Sequence, residues 1–579
     1  MMSFFKLMRF LLRESSELRM QFFVYIIIAG LSQTLLLVII NDATAQAIQG
    51  TVRMQVFLLF ITTLLLYVLA QNFLMRRFMN IVENIKEKIR NRLAGKIREA
   101  DCYKLEKLNT SEIYATIVKE TAYITQMSPR FISGIQCFVM LVCTMIYIAW
   151  LSPIAFLLVA SAITFQIVYM FISDKKTWVA FEKSNEAEVD LLTGLTNVLH
   201  GFKQIKLSQK KGDSVLADVS ETASRDRSLK ITALEKYLGN FVMMLVFFYL
   251  LIGLLLFVLN SFSATLTPVL IKLITSILFL ADPLWGLIEL STKMVQISVS
   301  VDTIYHLEKK LDAVSDGIDK NDEYAIQPDF RTIKFKDVVF NHRDYDNETT
   351  FQVGPVNMEI NRGEVTFIVG GNGSGKSTFI KLLTALYFPD SGQMQVDDMV
   401  LTKENVQSYR EMFAIILTDF HLFDKMHGIN NVYPGMVQQL LRTFGLENKT
   451  AYKGNRFTNL SLSTGQRSRL AMIIAYLEDK DIYVFDEWAA DQDSNFRSYF
   501  YEHMLTDLKA RGKTVIAVTH DNDYFHVADR VFTMEMGQFV DKSPELIAEE
   551  RRRRQRVTEV NGGPDVWHTT KYKLVTPTK

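Results

Sequence analysis

The chain has 579 residues, of which 49% are apolar and 22% charged, and its mean hydropathy is slightly positive. This balance is too apolar for an ordinary soluble enzyme and too charged for a chain embedded entirely in lipid, so it favours a membrane half joined to a water-soluble half. The net charge of +1 gives no indication of nucleic acid as a partner.

Six apolar stretches in the first half are long enough to cross a bilayer, which takes about 20 residues of helix. They lie at 20–40, 55–75, 131–152, 153–173, 237–259 and 266–290, and Leu151-Ser152-Pro153 joins the third to the fourth as a tight hairpin. The alternative is a set of buried helices in a soluble protein, which six such stretches with almost no internal charge disfavour. We therefore predict an all-α, six-helix transmembrane domain over residues 1–315.

The placement of Lys and Arg predicts the orientation of this domain. Basic residues cluster before the first span, after the second and after the fourth, whereas the loop 41–54 has only Arg53 and the loop 260–265 has none. Basic loops stay on the cytoplasmic side, so both termini are predicted to be cytoplasmic.

Two segments between the spans are predicted to continue into the cytosol as long helices. Apolar residues recur at helical spacing after the second span, and a similar segment, about 174–236, joins the fourth span to the fifth. The recurring residues are Phe78, Val82, Ile85, Ile89, Leu93 and Ile97. Such helices would connect the membrane domain to a soluble domain predicted at 330–548, and a basic tail over 549–579 is expected to be disordered.

The first motif in the second half of the chain is a phosphate-binding loop. Gly370, Gly371, Asn372, Gly373, Ser374, Gly375, Lys376 and Ser377 match the whole GxxxxGK[ST] pattern between a strand-like segment, 364–369, and a helix expected to begin at Thr378. Backbone N–H groups of such a loop surround phosphates, Lys376 adds a positive charge and Ser377 offers a hydroxyl to Mg²⁺. ATP with Mg²⁺ is the predicted ligand.

A second catalytic element is the buried, strand-like run that ends in Asp486 and Glu487. We expect Asp486 to hold Mg²⁺ and Glu487 to orient or deprotonate the attacking water. Two adjacent acids in a solvated turn are the alternative. Their position about a hundred residues after a phosphate loop favours the catalytic interpretation.

The segment Leu462-Ser463-Thr464-Gly465-Gln466 resembles the LSGGQ signature of ABC ATPases, with Thr464 at the first glycine. The resemblance implies that Ser463, Thr464, Gly465 and Gln466 contact the γ-phosphate bound to a partner subunit, and that His520, after the strand 515–519, is the family's switch histidine. It also implies an α/β P-loop ABC ATPase domain. Because the chain carries one of each motif, two copies would complete two ATP sites; we predict a homodimer, and a heterodimer with a similar chain stays open.

Three positions depart from the common ABC pattern. Thr418 stands where a glutamine is usual and would offer its hydroxyl to Mg²⁺ or water. His342 aligns with the aromatic residue that stacks on adenine, with Tyr345 as the alternative. After Glu487 the chain reads Trp488-Ala489-Ala490-Asp491-Gln492-Asp493 instead of the usual sequence, and Asp493 keeps the terminal carboxylate.

These departures resemble one branch of bacterial ABC exporters, the cyclic-peptide exporters, which include pyoverdine-precursor and microcin exporters. The resemblance implies a multi-pass protein of the bacterial inner membrane that exports a peptide-like product, with the ATPase domain in the cytoplasm. A flippase for lipid or lipid-linked glycan on the same architecture is the first alternative, and an ATP-switched membrane regulatory protein is the second.

Two further positions in the membrane half are candidates. Asp282 lies inside the sixth span, where a carboxylate is costly and would pair with a cationic group of the substrate. A span that ends before Asp282, or a pairing with another helix, explains the residue equally well. The segment 201–207 lies where such exporters place a cytosolic tip that contacts the ATPase domain.

Overall fold

The structure is a computed structural model of the whole chain. It describes residues 9–10, 13–14, 20–48, 50–51, 53–108, 110–254, 256–257, 267–317, 326, 329–343, 348–429, 432–549 and 552. The chain divides into two compact units, Met1–Arg98 with Asn109–Ala313 and Glu99–Leu108 with Val314–Lys579.

The described residues of the first unit are almost entirely helical. Its helices are α1 (Met20–Ile48), α2 (Met54–Arg98), α4 (Thr110–Ala115), α5 (Thr121–Leu151), α6 (Pro153–His200), α7 (Phe202–Leu207), α8 (Gln209–Leu254) and α9 (Thr267–Ala313); a π-helical turn, Thr116–Glu120, leads into α5. The hairpin predicted between the third and fourth spans is present. Ser152 alone interrupts the helix there, in an extended conformation, and its hydroxyl accepts the N–H of Ala155 at 3.3 Å.

Over their described residues, all six predicted spans fall on these helices. Five are long and apolar enough to cross a membrane: Val24–Ile48, Met54–Arg98, Glu112–Leu151, Gln209–Leu254 and Val269–Leu290. The sixth is the apolar stretch Pro153–Tyr169, which is shorter. The prediction of an apolar helical domain before the ATPase domain is therefore confirmed.

Helix α2 confirms that the second span continues as a long helix. It has 45 residues, and at a rise of about 1.5 Å per residue it measures roughly 68 Å, about twice the thickness of a bilayer core. Five of the six residues in the predicted apolar stripe are buried within the unit: Phe78, Val82, Ile85, Ile89 and Leu93. The segment between the fourth and fifth spans is likewise helical, because α6 has 48 residues and α8 has 46.

The second unit is built on two sheets. A six-stranded sheet has the order β12-β11-β3-β10-β9-β6, in which only the edge strand β12 is antiparallel to its neighbour, and a four-stranded antiparallel sheet has the order β2-β1-β4-β5. The strands are β1 (Thr332–Arg343), β2 (Thr349–Asn361), β3 (Val365–Val369), β4 (Ser391–Val396), β5 (Met399–Val400), β6 (Phe413–Ile416), β7 (Tyr452–Lys453), β8 (Arg456–Phe457), β9 (Ile482–Asp486), β10 (Thr514–Val518), β11 (Arg530–Glu535) and β12 (Gln538–Asp541). Strands β7 and β8 form a separate two-stranded ribbon.

Apolar side chains cover both faces of the six-stranded sheet. On β9, Tyr483 and Phe485 pack into one core, whereas Ile482 and Val484 pack into the other, as the two-residue period of a strand requires. The helices of this unit are α3 (Cys102–Glu106), α10 (Lys376–Leu383), α11 (Val406–Arg410), α12 (Pro434–Thr443), α13 (Thr464–Glu478), α14 (Ser494–Tyr499) and α15 (Leu505–Ala510), with 3₁₀ turns at Trp488–Asp491 and Asn522–Val527 and a π-helical turn at Phe500–Met504. A central sheet covered on both faces is the α/β fold that the sequence predicts.

Helix α3 belongs to the second unit although it follows α2 directly in the chain. The N–H of Asp101 donates to the carbonyl of Val314 at 2.8 Å, and the N–H of Asp316 donates to the carbonyl of Glu99 at 3.1 Å. No pattern in the sequence identifies this short segment.

Candidate functional site

Three of the predicted site residues meet where neighbouring parallel strands end. Strands β3, β10 and β9 lie side by side, and their carboxyl ends lead into the phosphate loop, His520 and Glu487 respectively. In open parallel sheets this edge is where ligands bind.

Lys376 lies at the centre of this edge and is 5% exposed. Its Nζ donates to the carbonyl oxygens of Gly370 and Gly371, each at 3.0 Å, and lies 3.7 Å from Glu487 Oε1. Helix α10 begins at Lys376, two residues earlier than predicted. The ammonium group is thus held under the loop by carbonyl groups, where it can bind phosphate oxygens as a compact charge.

Gly375 shows why the loop needs glycine. Its φ is +105°, and a Cβ there would come within 2.7 Å of the Met534 side chain and 3.1 Å of Phe351 and Val353. No other residue fits this conformation and this space, so the glycine allows the loop to close onto the start of α10.

Glu487 and His520 form a direct pair. The Glu487 carboxylate lies 3.1 Å from His520 Nε2, and both side chains are partly exposed at the strand ends. Glu487 has a φ of +53°, in the left-handed region, and its N–H donates to the carbonyl of Val518 at 3.2 Å. A non-glycine residue there costs on the order of 1–3 kcal/mol, a strain typical of functional positions.

Asp486 lies below this pair, buried at the end of β9 with 4% of its surface exposed. Burial raises the pKa of its carboxyl group, and a hydrogen bond from the Thr418 hydroxyl opposes that rise. Thr418 Oγ1 is 3.0 Å from Asp486 Oδ2, because β6 and β9 are parallel neighbours, Asp486 is the last residue of β9 and Thr418 lies two residues beyond β6. The structure therefore brings together Asp486 and Thr418, two of the three residues predicted to hold the metal ion.

The residues present fit Mg²⁺ and ATP. Asp486 Oδ1 and Ser374 Oγ are buried and have no hydrogen-bond partner within the described chain, and an orphaned buried oxygen is costly unless a ligand satisfies it. Ser377, which follows Lys376, is exposed at the start of α10. An anionic carboxylate oxygen beside two hydroxyl groups is a set of hard oxygen ligands of the kind that Mg²⁺ prefers.

His342 lies at the end of β1, with its Nε2 2.9 Å from the hydroxyl of Thr378 in α10. Burial lowers the pKa of this imidazole, and the cations Lys381 and Lys107 lower it further. The imidazole is therefore held beside Thr378, the residue that follows Ser377 in the phosphate-loop helix. The alternative residue, Tyr345, lies outside the described residues.

The signature residues cap helix α13. The Ser463 hydroxyl accepts the N–H of Gln466 at 3.4 Å, and the Gln466 side-chain oxygen accepts the N–H of Ser463 at 3.2 Å, which is a capping box. Thr464 is exposed, as the first residue of the helix. Gly465 is packed so closely that a Cβ would lie 2.6 Å from the carbonyl oxygen of Asp491. The exposed helix N-terminus is suited to a phosphate.

The unusual segment after Glu487 is attached to this same helix. The indole N–H of Trp488 donates to the Ser468 carbonyl at 2.9 Å, and the buried ring lies 4.6 Å from that of Phe500. Gln492 contributes two further contacts: its side-chain N–H₂ donates to the Gly465 carbonyl at 3.2 Å, and its oxygen accepts from Arg469 at 2.8 Å.

The Asp493 carboxylate has two partners within the chain. It caps α14 by accepting the N–H of Phe496 at 3.0 Å, and it pairs with Arg469 at 2.6 Å. Sequence analysis did not identify the roles of Trp488, Gln492 and Arg469. The available signal was the aromatic residue directly after the catalytic acid, which predicts a buried contact there.

Asp282 lies within α9, which continues through Pro283 without a break to Ala313. The helix therefore does not end before Asp282, and the carboxylate is exposed on the single chain. One turn further on, the Trp285 ring contacts Phe241 at 4.4 Å and Tyr237 at 6.0 Å between ring centroids.

The two remaining candidate segments are the predicted cytosolic tip and the basic tail. Residues 202–207 form the short helix α7 between α6 and α8, with Phe202 and Leu207 exposed. The basic tail lies outside the described residues except for Glu549 and Arg552.

Geometry and fold define the chain as a P-loop ATPase joined to a set of membrane-type helices. A family model described as "ABC transporter" matches residues 353–490. The L-cystine import ATP-binding protein TcyN of Bacillus subtilis is 31% identical over 33% of this chain and 80% of TcyN. The chain belongs to the ABC transporter family: it is an ATPase coupled to transport, with ATP as its nucleotide and Mg²⁺ as the usual partner ion.

Longer similarities extend beyond the ATPase domain. The ATP-binding protein SyrD of Pseudomonas syringae is 35% identical over 50% of this chain, and the match spans about half (53%) of SyrD. The ATP-dependent lipid A-core flippase of Vibrio vulnificus is 22% identical over 69% of each chain. A solved structure, a bacterial Atm1-family ABC exporter with ATP bound, covers 92% of this chain and 99% of its own at a TM-score of 0.72 and 16% identity, which shows that the fold is shared.

Proposed function

We propose that this chain is one half of an ATP-driven exporter in which two copies close around two ATP molecules. The observation that carries the ATPase part is the convergence of Lys376, Glu487 and His520 at three neighbouring strand ends, above a buried Asp486 oxygen without a partner. The helices of the first unit are the part that moves substrate.

Each residue has a role in this proposal. Lys376 binds the phosphates, with the loop residues Gly370–Ser377 and Thr378 around them. Ser377, Asp486 and Thr418 hold the Mg²⁺, which supplies positive charge against the phosphate oxygens when it is bound. Glu487 orients the attacking water and accepts its proton, and His520 fixes the Glu487 carboxylate at 3.1 Å.

A second copy is needed because the phosphate loop and the signature occur once each in the chain. Ser463, Thr464, Gly465 and Gln466 form the capped start of α13, and Thr464 faces solvent on the single chain. In the proposed homodimer these residues contact the γ-phosphate bound by the other copy. The exposed tip helix α7 would contact an ATPase domain, which agrees with its unburied Phe202 and Leu207.

Replacing Glu487 with Gln tests the hydrolytic role. E487Q keeps the size of the side chain and removes the base, so we expect ATP binding to persist while turnover falls at least about 100-fold, the scale of general-base catalysis. The matched control is E502Q, which changes an acid outside the site. Undiminished hydrolysis by E487Q would remove Glu487 from its role, and absence of ATP binding by the wild-type chain would contradict the proposal as a whole.

For the substrate we propose a peptide-like product moved outward across the bacterial inner membrane, with both termini in the cytoplasm. The resemblance of residues 486–493 to the cyclic-peptide exporters supports this. Asp282 and the Trp285 cluster would bind a cationic, partly apolar group, because a carboxylate beside aromatic rings attracts a cation.

The flippase is the second candidate, since the similarity to the lipid A-core flippase spans 69% of the chain. Purified dimer in nanodiscs separates the two: stimulation of ATP hydrolysis by cyclic peptides supports export of a peptide, whereas stimulation by lipid extracts alone supports the flippase. Deleting the gene and identifying the compound that accumulates in cells and disappears from the medium would identify the substrate. Binding of ATP without turnover under any of these conditions would favour a regulatory protein.

A further inference from the structure

The position of the His520 imidazole depends on the backbone that carries it. His520 lies two residues beyond β10, in a segment without regular secondary structure, and its side chain is 47% exposed. Among the described residues, Glu487 is its one hydrogen-bond partner, at 3.1 Å. One contact to a partly exposed carboxylate does not fix a ring in a single orientation. The neighbours of His520 in the chain, Thr519 and Asp521, must therefore hold it in place.

The buried hydroxyl group of Tyr501 joins both of these neighbours. Tyr501 is 1% exposed, and its oxygen lies 2.9 Å from Asp521 Oδ2 and 2.6 Å from Thr519 Oγ1. Burial raises the pKa of this hydroxyl, so it stays protonated and donates to the carboxylate, which only accepts. It then accepts from the Thr519 hydroxyl, whose oxygen accepts the N–H of Asp521 at 2.9 Å. The three hydrogen bonds form a closed ring around His520.

The Tyr501 ring is itself fixed by the core of the ATPase unit. It stacks on Tyr524 at 4.4 Å between centroids and lies edge-on to Phe367 of β3 at 5.8 Å. Tyr501 belongs to the π-helical turn Phe500–Met504, which interrupts the α-helical segment between α14 and α15. Such turns are rare and frequently lie at functional sites. The hydroxyl is therefore presented to the His520 segment by a rigid support.

Arg497, one turn earlier in the same helical segment, connects this ring of hydrogen bonds to the other catalytic residue. Its Nη1 lies 3.4 Å from Asp521 Oδ1, and its Nη2 donates to the carbonyl of Gln492 at 3.3 Å. Gln492 follows Glu487 by five residues, and Asp521 directly follows His520. The segments that carry the two members of the catalytic pair thus share one guanidinium group.

We propose that Tyr501 is a positioning residue for ATP hydrolysis, whose hydroxyl fixes the two neighbours of His520 and thereby the contact between the imidazole and Glu487. This inference rests on the proposed function, because it takes Glu487 and His520 to act on the attacking water. Tyr501 is buried, so it acts only through His520. Displacing a catalytic group by about 1 Å lowers a rate on the order of 100-fold, so losing this support slows hydrolysis without affecting the binding of phosphate.

Y501F removes the hydroxyl and keeps the ring. In purified full-length protein we expect kcat for hydrolysis at saturating Mg-ATP to fall about tenfold or more, while the Kd for a non-hydrolysable ATP analogue stays within about twofold. T519V opens the same ring of hydrogen bonds from its other side, and we expect the same separation of kcat from Kd. The matched control is Y483F, because Tyr483 is fully buried in β9 and its hydroxyl has no hydrogen-bond partner in the described part of the chain. It should keep both constants within about twofold.

A double-mutant cycle with H520A gives a readout that a merely structural role would not move. H520A is expected to lower kcat about 100-fold, the scale of a lost catalytic group. Adding Y501F to H520A is then expected to change kcat by no more than about twofold, because no imidazole is left to position.

Unchanged kcat in both Y501F and T519V would overturn the inference. So would an equal fold loss from Y501F in the presence and absence of His520, or a Kd that rises in step with the fall of kcat. Each of these results leaves the ATPase assignment intact. Full hydrolysis by H520A would instead contradict the role that the proposed function gives to His520, so the two failures are distinguishable.

Discussion

Thr418 stands where glutamine is usual in this family, and its geometry predicts what a valine there would do. The hydroxyl donates to Asp486 Oδ2 at 3.0 Å, and Asp486 is almost fully buried. T418V keeps the shape of the side chain and removes only this oxygen. Asp486 then loses the hydroxyl donor that opposes the rise of its pKa on burial.

The size of the effect follows from the charge on the acceptor. A hydrogen bond to an ionised group contributes about 1.5–3 kcal/mol, and about 1.4 kcal/mol corresponds to a factor of ten. If Asp486 and Thr418 together hold Mg²⁺, T418V raises the Mg²⁺ concentration for half-maximal ATP hydrolysis by about 10- to 100-fold. T418S keeps the donor and is expected to stay within about threefold of the wild type.

Steady-state ATP hydrolysis by the purified full-length protein, titrated with Mg²⁺ at saturating ATP, measures this directly. Binding of ATP in the presence of EDTA is the control, since it does not use the metal ligands and is expected to be the same in T418V and the wild type. An unchanged Mg²⁺ requirement in T418V, or an equal loss of metal-free binding, would refute the assignment of Thr418 to the metal.

Two further predictions concern the departures from the family pattern. Trp488 is 4% exposed, and its indole N–H donates to the Ser468 carbonyl. We therefore expect W488A to destabilise the ATPase unit by about 3–5 kcal/mol and W488F by about 1 kcal/mol. Shifts of the calorimetric transition of this unit measure both changes, and equal shifts in the two variants would contradict the packing role. The pKa of His342 is lowered from 6.5 by burial and nearby cations, so the folded state disfavours the imidazolium and its stability falls as pH drops through 6.5 towards the lower folded pKa. H342Q should flatten the acid side of the melting-temperature profile, and an unchanged profile would show that His342 does not contribute to it.

The phosphate loop and the catalytic strand could be predicted because their signals are local. The phosphate-loop motif lies entirely within the continuous segment from Gly370 to Ser377. The run before Asp486 is continuously apolar, as a central parallel strand must be. Helix α2 was predictable for the same reason, since its buried stripe repeats at helical spacing. In each case the pattern and the structure depend on residues within one element.

The contacts around the site could not be predicted because each joins residues of two different elements. Trp488 contacts Ser468, and Tyr103 contacts His342, more than two hundred residues later. Neither partner bears a pattern that identifies the other. Tyr103 lies between two apolar spans, so its neighbours in sequence indicate the membrane half, whereas its contacts lie in the ATPase unit.

Three contacts around the site start at the end of β9 or within a few residues after it. Asp486, its last residue, accepts from Thr418 at the end of β6, and Trp488, two residues on, is fixed to α13. Gln492 adds a second bond to Gly465 at the start of the same helix. The catalytic end of β9 and the signature helix α13 are therefore held together by these two hydrogen bonds. In the proposed dimer the same helix would present its signature to the ATP bound by the other copy.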